Sequence, residues 1–308
     1  MSIEQSQIQF RGRALQVPSS LIEGREVIAV GRWPRLATLK DEEWIDSGPI
    51  ADPAKFIDAV RLSDLDADIF SFPGTLDAAP FEVYDREPGN LAVIQTQNFT
   101  AWWDSLPQEA RKNARRAAKK GIEVRTSVLD DTFVSGIKAI YDETPLRQGR
   151  KFWHYGKDVE TIKRENSTYL DRSQFIGAYH AGTLVGFIKL VYVGNVARMM
   201  QILCMNAHQD KRPIIALIVK AAEICHSDGI KYLVYGRYNY GNKSDSMTEF
   251  KHRLGFTPMD FPRYYVPLTI SGRIALAVGA HRSVLQILPS GLIDRLRKMR
   301  TWHLQRKV

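Results

Sequence analysis

Lys251 is the basic residue whose sequence neighbours most strongly indicate a role in binding or catalysis. It follows Phe250 and comes shortly before Gly255 and Phe256, in a segment preceded by a stretch rich in glycine and tyrosine. A fixed positive charge beside a cleft can bind a phosphate or stabilise an oxyanion that develops during a reaction. The alternative is a helix that buries Phe250 and Phe256 while the ammonium group extends into water. Taken alone, the segment favours this alternative.

A second group of reactive residues lies at 147–155, where basic and aromatic side chains are mixed. A neutral imidazole at His154 could accept the proton that an attacking amine loses. A lone histidine is more often structural, however. We expect Arg147, Trp153 and Tyr155 to contact the acceptor substrate, and the alternative is a loop held over the core by its aromatic residues.

The strand end at 235–240 offers further polar groups. Arg237 could pair bidentately with a phosphate or a carboxylate, and an ion pair with one of the chain's own acids is the alternative. Tyr238 and Tyr240 lie on either side of Asn239, so we expect one side of this strand end to face a cleft. We find no convincing Ser/His/Asp triad, no nucleophilic cysteine and no cysteine or histidine spacing typical of zinc, so no metal is expected.

A run of basic residues at 111–120 forms a stripe with helical spacing. Arg111, Arg115 and Lys119 recur at every fourth position, and we expect them to contact phosphates of a nucleic acid or of a nucleotide-linked precursor. Like charges at this spacing repel one another, so the stripe destabilises its helix unless an anion is bound. A solvated helix surface is an equally good interpretation. Lys211 and Arg212 are further candidates for contact with phosphate.

The C-terminal segment 271–308 contains Asp294 as its one acidic residue among many basic ones. After a break near Pro289, residues 292–302 predict a basic amphipathic helix. Such a helix suits an anionic membrane surface, and docking on the first half of the chain is the alternative.

The composition is that of a globular protein with anionic partners. The chain has 308 residues, 44% of them hydrophobic and 25% charged, and a net charge of +9. This length favours two domains, and the charge indicates phosphorylated substrates, RNA or acidic lipid. The two cysteines lie in apolar segments and are expected to be reduced. With no signal peptide and no apolar run near about 18 residues, we expect a cytoplasmic location, with peripheral contact at the inner membrane face as an option.

The predicted elements that must position these residues fall into two groups. Residues 1–120 read as a small α/β unit that ends in the basic helix. From Gly121 the order is a strand, two helices, three antiparallel strands, a helix, a strand, a helix and a closing strand.

Two motifs make the chain resemble the Fem-type branch of the GNAT acyltransferase superfamily, the aminoacyl transferases that build peptidoglycan cross-bridges. The first joins the two groups of elements and runs from Trp103 through Arg111, Asn113 and Arg115 to the strand that begins after Gly121. The second spans 236–256 and contains the lysine segment, with Leu254 at a position where phenylalanine is common in the family. Together they cover about residues 99–266.

The resemblance implies an α/β (α+β) protein of two GNAT-like halves, each a mixed, mostly antiparallel sheet flanked by helices, with the first half degenerate. The expected bounds are 1–120 and 121–268, followed by a basic tail at 269–308. The implied activity is acyl or aminoacyl transfer to an amine on a cell-envelope or peptidoglycan precursor or an amino sugar. In it, Lys251 and Phe250 line the transfer channel, and backbone N–H groups near Met200–Cys204 help to hold the oxyanion.

The donor is left open between acyl-CoA and aminoacyl-tRNA, neither bound tightly. GNAT enzymes that use acetyl-CoA usually carry a glycine-rich loop whose amides hold the pyrophosphate, but the corresponding segment 206–213 has no glycine. This favours a charged tRNA, although Lys211 and Arg212 could bind phosphate through their side chains. We expect Lys251→Ala to leave the fold intact and to lower transfer. The alternative is a non-catalytic module that binds RNA or anionic lipid.

Overall fold

A computed structural model describes residues 3–10, 13–40, 50–76, 79–147, 149–239 and 246–282 of the protein. Two of the predictions lie outside these residues: the role of Tyr240 as a substrate contact, and the amphipathic helix after Pro289. Among the helices within these ranges, none is both long enough and apolar enough to cross a lipid bilayer.

The first part of the chain is mainly strand. Its helix begins where Asp52 caps the first turn by accepting a hydrogen bond from the Lys55 backbone N–H and Pro53 takes the first helical position, as the sequence predicts. The elements are β1 (Glu4–Phe10), β2 (Arg13–Ile22), β3 (Arg25–Val30), β4 (Leu36–Leu39), α1 (Pro53–Arg61), β5 (Ile69–Pro73) and β6 (Asp85–Glu87).

The longer second part alternates helices and strands. Gly121, with φ of +77°, follows the basic helix α3 as predicted, and Asp130 caps α4 by accepting from the Phe133 N–H. The elements are β7 (Asn90–Gln95), α2 (Phe99–Ser105), α3 (Gln108–Lys119), β8 (Ile122–Ser127), α4 (Asp131–Asp142), β9 (Leu146–Arg147), β10 (Arg150–Lys151), α5 (Val159–Asn166), β11 (Ser173–His180), β12 (Thr183–Val193), β13 (Val196–Cys204), α6 (Pro213–Ser227), β14 (Tyr232–Arg237), α7 (Ser246–Arg253), β15 (Thr257–Asp260), β16 (Arg263–Pro267) and α8 (Ile270–Ala277), with short 3₁₀ turns at Leu170–Arg172 and Asn206–Lys211.

Fourteen of the sixteen described strands form two seven-stranded sheets, which confirms the predicted fold class, and β9 and β10 pair with each other. The first sheet has the order β1-β2-β3-β4-β5-β16-β6, and the second has the order β15-β7-β14-β13-β12-β11-β8. Each sheet contains one parallel pair, β4 with β5 and β13 with β14, among antiparallel neighbours.

The two halves exchange one strand each, which the sequence does not reveal. β7 leaves the first half and lies between β14 and β15, while β16 leaves the second half and lies between β5 and β6. β7 precedes the predicted boundary at 120 but pairs in the second sheet, and β16 follows it but pairs in the first, so strand pairing crosses that boundary. α8, at the start of the expected tail, packs on the first sheet.

The connection from β6 to β7 and the connection from β15 to β16 are in contact where they cross between the two sheets. The Phe261 N–H donates to the Gly89 carbonyl at 2.9 Å, and the Gly74 N–H donates to the Pro262 carbonyl at 2.7 Å. A Cβ atom at Gly89 would lie 2.4 Å from the Phe261 carbonyl oxygen. The crossing is therefore close enough to require a residue without a side chain there.

Helices cover both faces of each sheet. In the first sheet, Phe70 and Phe72 pack with α1, whereas Ile69 and Tyr265 point to the opposite face, where they meet Ala275 of α8. In the second sheet, α6 covers one face and α4 with α5 covers the other.

Candidate functional site

The parallel strands β13 and β14 separate part-way along their length. Their pairing begins at Val196 with Tyr232 and ends at Arg198 with Val234. Beyond this point β13 continues to Cys204 and β14 continues to Arg237 without pairing with each other. Opposite β12, the register shifts so that Leu190 pairs with Met199 and Lys189 with Gln201, which leaves Met200 as a bulge, 38% exposed. Bulges re-aim the backbone and often lie beside active sites. The predicted oxyanion-holding segment Met200–Cys204 therefore lies on the strand edge that β14 has left.

Lys251 contacts the end of β14, the second strand of this pair. Its side chain is 2% exposed; its Nζ donates to the Arg237 carbonyl at the end of β14 and lies 5.2 Å from the centre of the Tyr235 ring. The interpretation in which the ammonium group extends into water is therefore wrong. The expectation that Lys251→Ala leaves the fold intact is not supported either, since truncating a buried, hydrogen-bonded side chain leaves its partner unsatisfied at a cost of about 1–3 kcal/mol.

The glycine of the lysine motif fixes the end of α7. The Gly255 N–H donates to the His252 carbonyl at 2.9 Å and the Phe256 N–H donates to the Lys251 carbonyl at 3.1 Å, which is the pair of bonds of a Schellman motif. Gly255 has φ of +72°, and a Cβ atom there would lie 2.6 Å from Trp102 Nε1. Because α7 ends at this glycine, its C-terminus packs closely on α2, and the Lys251 side chain points toward β14.

The other predicted residues near Lys251 are divided between core and surface. Phe250 and Tyr238 are half-buried and pack against the main core of the second sheet, and the Tyr238 carbonyl accepts from Thr248 Oγ1 at 3.3 Å. Arg237 is exposed at the end of β14. The structure thus brings all three to the end of β14 and leaves the Arg237 guanidinium at the surface.

His154 is turned inward, contrary to its predicted place as an accessible base. It is 6% exposed, with its Nε2 3.3 Å from Gln201 Nε2 and its Nδ1 3.5 Å from Lys157 Nζ. Burial, together with the positive charges of Lys157 and Arg147, lowers the pKa of His154 to about 3. Its ring holds Gln201 of β13 in place beside Tyr141, and the role of general base gains no support from this position.

Arg147 is also structural rather than open to substrate. Its guanidinium donates to the Cys204 carbonyl at 3.0 Å and to the Ile140 carbonyl at 3.1 Å. It therefore ties the end of β13 to α4. Trp153 and Tyr155 remain available, at 66% and 48% exposed, in the same loop over this end of the strand.

Glu143 is the residue at this site that the sequence analysis missed. Its carboxylate accepts hydrogen bonds from the backbone N–H groups of Asn206, at 2.6 Å, and Ala207, at 2.8 Å. These amides follow β13, where a pyrophosphate-binding loop would present its donors. An acid just after a helix is too common to be noticed in a sequence.

The basic residues predicted to bind anions are divided between this loop and the length of α3. Lys120 donates to the Asp210 carboxylate at 2.9 Å, and Lys211 Nζ lies 3.5 Å from the same carboxylate, so the end of α3 adjoins the turn after β13. Hydrogen bonding to Lys120 lowers the pKa of Asp210. The exposed members are Arg115, Lys119 and Arg212, while Arg111 is half-buried, 3.8 Å from Asp104.

Neither a protein-family model nor a curated protein matches the sequence, but solved structures share its architecture. FemX matches with a TM-score of 0.55 and 10% identity over 90% of this chain and 90% of its own. A protein named as a lysylphosphatidylglycerol synthetase from Agrobacterium fabrum matches through its C-terminal domain, with a TM-score of 0.52 and 13% identity over 85% of this chain and 87% of that domain. L-PGS from Bacillus licheniformis matches with a TM-score of 0.51 and 13% identity over 80% of this chain and 83% of its own.

The chain has the two-half GNAT-like fold. At these identities the comparisons show the fold and no more, and the Fem-type resemblance is one of several of equal standing. Within the described residues, no group of three or more histidine, cysteine or acidic side chains is arranged to hold a metal ion.

Proposed function

We propose that this protein is an acyltransferase that moves an acyl or aminoacyl group to an amine acceptor in the gap between β13 and β14. The observation that carries the proposal is the buried ammonium group of Lys251 at the end of β14, opposite a bulged strand edge. A carbonyl held there would lie between a fixed positive charge and backbone N–H groups. Such pre-oriented donors stabilise an oxyanion most strongly where water is excluded.

The reaction requires no covalent enzyme intermediate. The amine nitrogen attacks the acyl carbon and the carbonyl electrons move onto oxygen. The tetrahedral intermediate then collapses and expels the leaving group, which takes up the proton that the amine loses. The Lys251 ammonium group donates to the Arg237 carbonyl in the described structure. We expect Lys251 to donate to the oxyanion once the donor substrate is bound.

We favour aminoacyl-tRNA over acyl-CoA as the donor. The Glu143 carboxylate, which pairs with Arg147 at 3.5 Å, occupies the amides of Asn206 and Ala207, and its negative charge there disfavours a pyrophosphate. The exposed basic side chains of α3 and Arg212 lie beside the same turn and suit the phosphates of an RNA. Acyl-CoA is the other donor to test.

We propose an amine of a cell-envelope or peptidoglycan precursor, or of an amino sugar, as the acceptor. The exposed aromatic residues Trp153 and Tyr155 are the candidates to contact it, because their loop covers the end of β13. A tRNA donor would place the reaction in the cytoplasm, and an envelope acceptor would place it near the inner membrane face.

The decisive experiment measures donor consumption by mass spectrometry. The purified protein is incubated separately with aminoacyl-tRNA and with acetyl-CoA, each with amine acceptors of the proposed classes. Lys251→Met keeps the length of the side chain and removes its charge. We expect it to lower transfer at least about tenfold, because removing one oxyanion donor typically lowers kcat by about a hundred- to a thousandfold.

Lys189→Met is the matched control. Lys189 is also a buried lysine of the second sheet, 3% exposed, and it donates to the carbonyls of Asn166 and Thr168 at 2.9 and 2.5 Å, at the far end of α5. We expect this variant to lose stability but to keep near-normal transfer while folded. Near-normal turnover in a folded Lys251→Met protein would refute the proposal.

A non-catalytic module that binds RNA or anionic lipid is the alternative function, and no observation favours it over transfer. It predicts salt-sensitive binding to RNA without consumption of either donor. The same assay, run alongside a salt titration of tRNA binding, therefore separates the two functions.

A further inference from the structure

A cavity of about 340 Å³ lies in the first half of the molecule, away from the gap between β13 and β14. It is bounded by β6, β16 and α8, on the face of the first sheet that α1 does not cover. A volume of this order is enough for a small organic ligand. The inference drawn from it does not rest on the proposed acyl transfer.

One carboxylate organises the wall of this cavity. Glu87 accepts hydrogen bonds from the Tyr265 hydroxyl at 3.2 Å and from Arg282 Nε at 3.1 Å, and its Oε1 lies 3.5 Å from His281 Nε2. The His281 ring also packs on the Tyr265 ring, with their centres 4.6 Å apart. Both contacts fix the orientation of the imidazole.

The other ring nitrogen of His281 has nothing to bind. The His281 side chain is 6% exposed, and its Nδ1 is buried with no hydrogen-bond partner in the described structure. Leaving a buried polar atom unsatisfied costs about 1–3 kcal/mol. A buried atom of this kind needs an explanation, and it belongs to a residue that lines the cavity.

The charged residues that line the cavity indicate which charges a ligand would carry. Arg282 pairs with Glu87, and Arg86 lies 3.4 Å from Glu82. Within the described ranges, the structure records no hydrogen bond or ion pair for the side chains of Asp85 and Arg273, which also line the cavity. One positive and one negative group are therefore left over, and a ligand with one group of each sign would pair with both.

We infer that this cavity binds a free α-amino acid with an apolar side chain. The ligand carboxylate pairs with the Arg273 guanidinium, which matches its geometry, and the ligand ammonium group pairs with Asp85. Leu276, Ala277 and Pro267 form the apolar part of the wall and receive the side chain.

The test uses isothermal titration of the full-length protein with L-leucine, L-methionine and L-phenylalanine. The best of them is then compared with the two analogues that lack one charged group; for leucine these are 4-methylpentanoate and 3-methylbutylamine. We expect one site per chain and affinity at least about tenfold lower for each analogue, since each loses one charge-assisted pair. Failure of all three amino acids to bind, or equal affinity for an analogue, would overturn the inference.

Two variants assign the binding to this cavity. Arg273→Gln and Asp85→Asn each remove one charge from an exposed residue, so both should fold normally, and each is expected to lower affinity at least about tenfold. Arg164→Gln, at an exposed arginine of α5 in the other half, is expected to leave the affinity unchanged. If both cavity variants bind as the wild type does, the site is elsewhere and the inference is wrong.

Discussion

The two halves of the molecule share a strand order but differ in what lies between their first two strands. β1 and β2 form a direct hairpin down to the pair Phe10 with Arg13, whereas α4 and α5 separate β8 from β11 in the second half. These helices bring Glu143, Tyr141 and the loop of His154 to the end of β13. The first half has no such helices, and α8 from the end of the chain covers the corresponding face of its sheet.

The buried polar residues differ in the same way. Those of the first sheet are serines: Ser6, Ser19, Ser20 and Ser71. The second half buries His154 and two lysines, Lys189 and Lys251, although placing an ammonium group in a core is unfavourable unless it is hydrogen-bonded. This difference supports the proposal that acyl transfer takes place in the second half.

The largest effect is expected from separating the halves. The fragments 1–120 and 121–268 follow the boundaries that the sequence predicts, but the first lacks β16 and the second lacks β7. We expect neither to show a cooperative thermal transition by circular dichroism, because each sheet loses an inner strand, and we expect the transition to return when 1–120 is mixed with 121–282. A sharp transition in either fragment alone would show that the halves are independent.

A smaller effect is expected where the connections cross. Gly89→Ala would push a Cβ atom against the Phe261 carbonyl, so we expect it to lower the free energy of unfolding by about 3 kcal/mol in urea titrations. Gly24→Ala is the control, because Gly24 has φ of +76° but nothing within 4 Å of an added Cβ, and about 1 kcal/mol is expected for the backbone alone. Equal losses in the two variants would mean that the crossing is not tightly packed.

The free energy of unfolding should fall at acid pH because His154 is buried in its neutral form. Its pKa is lowered to about 3 in the folded protein, against about 6.5 when unfolded, so the unfolded chain binds the extra proton and stability falls as the pH drops below 6.5. The loss from this group should reach about 2 kcal/mol by pH 5. His154→Gln should flatten the dependence of the unfolding free energy on pH between 7 and 5, and an unchanged slope would contradict the assignment.

The smallest effect is expected from Glu143→Gln. The substitution keeps an acceptor for the Asn206 and Ala207 amides but removes the charge, so about 1 kcal/mol of stability should be lost. It also removes the repulsion of a pyrophosphate, and CoA affinity measured by titration should rise. Glu160→Gln, at an exposed acid of α5, is the control; no gain in CoA affinity over this control would show that Glu143 does not select the donor.

Much of the fold could be predicted from local signals. The cap at Asp52, the helix end at Gly121 and each predicted strand and helix from residue 121 onward are present, because they depend on neighbours in sequence, whereas β9, β10, β15 and α8 are additional to the predicted order. The exchange of β7 and β16 could not be predicted, since each strand is compatible with either sheet and only the packing of both halves decides between them.

The candidate site was predicted in part. Lys251, Phe250 and Tyr238 do meet at the end of β14, but Arg147 and His154 turn inward where polar substrate contacts were expected. A basic or imidazole side chain next to aromatic residues suits a surface loop as well as a buried network, and the difference depends on partners 47 to 57 residues away in the chain, such as Gln201 and Cys204.

By itself, the sequence determined the class of fold, the end of α7 at Gly255 and the presence of a lysine close to β14, because caps, periodicity and glycine positions act over a few residues. Only the tertiary structure decided that this lysine is buried against the Arg237 carbonyl, that Glu143 occupies the amides after β13 and that the halves share strands. These outcomes depend on contacts between distant segments, whose free energies are set by packing and desolvation rather than by local preference.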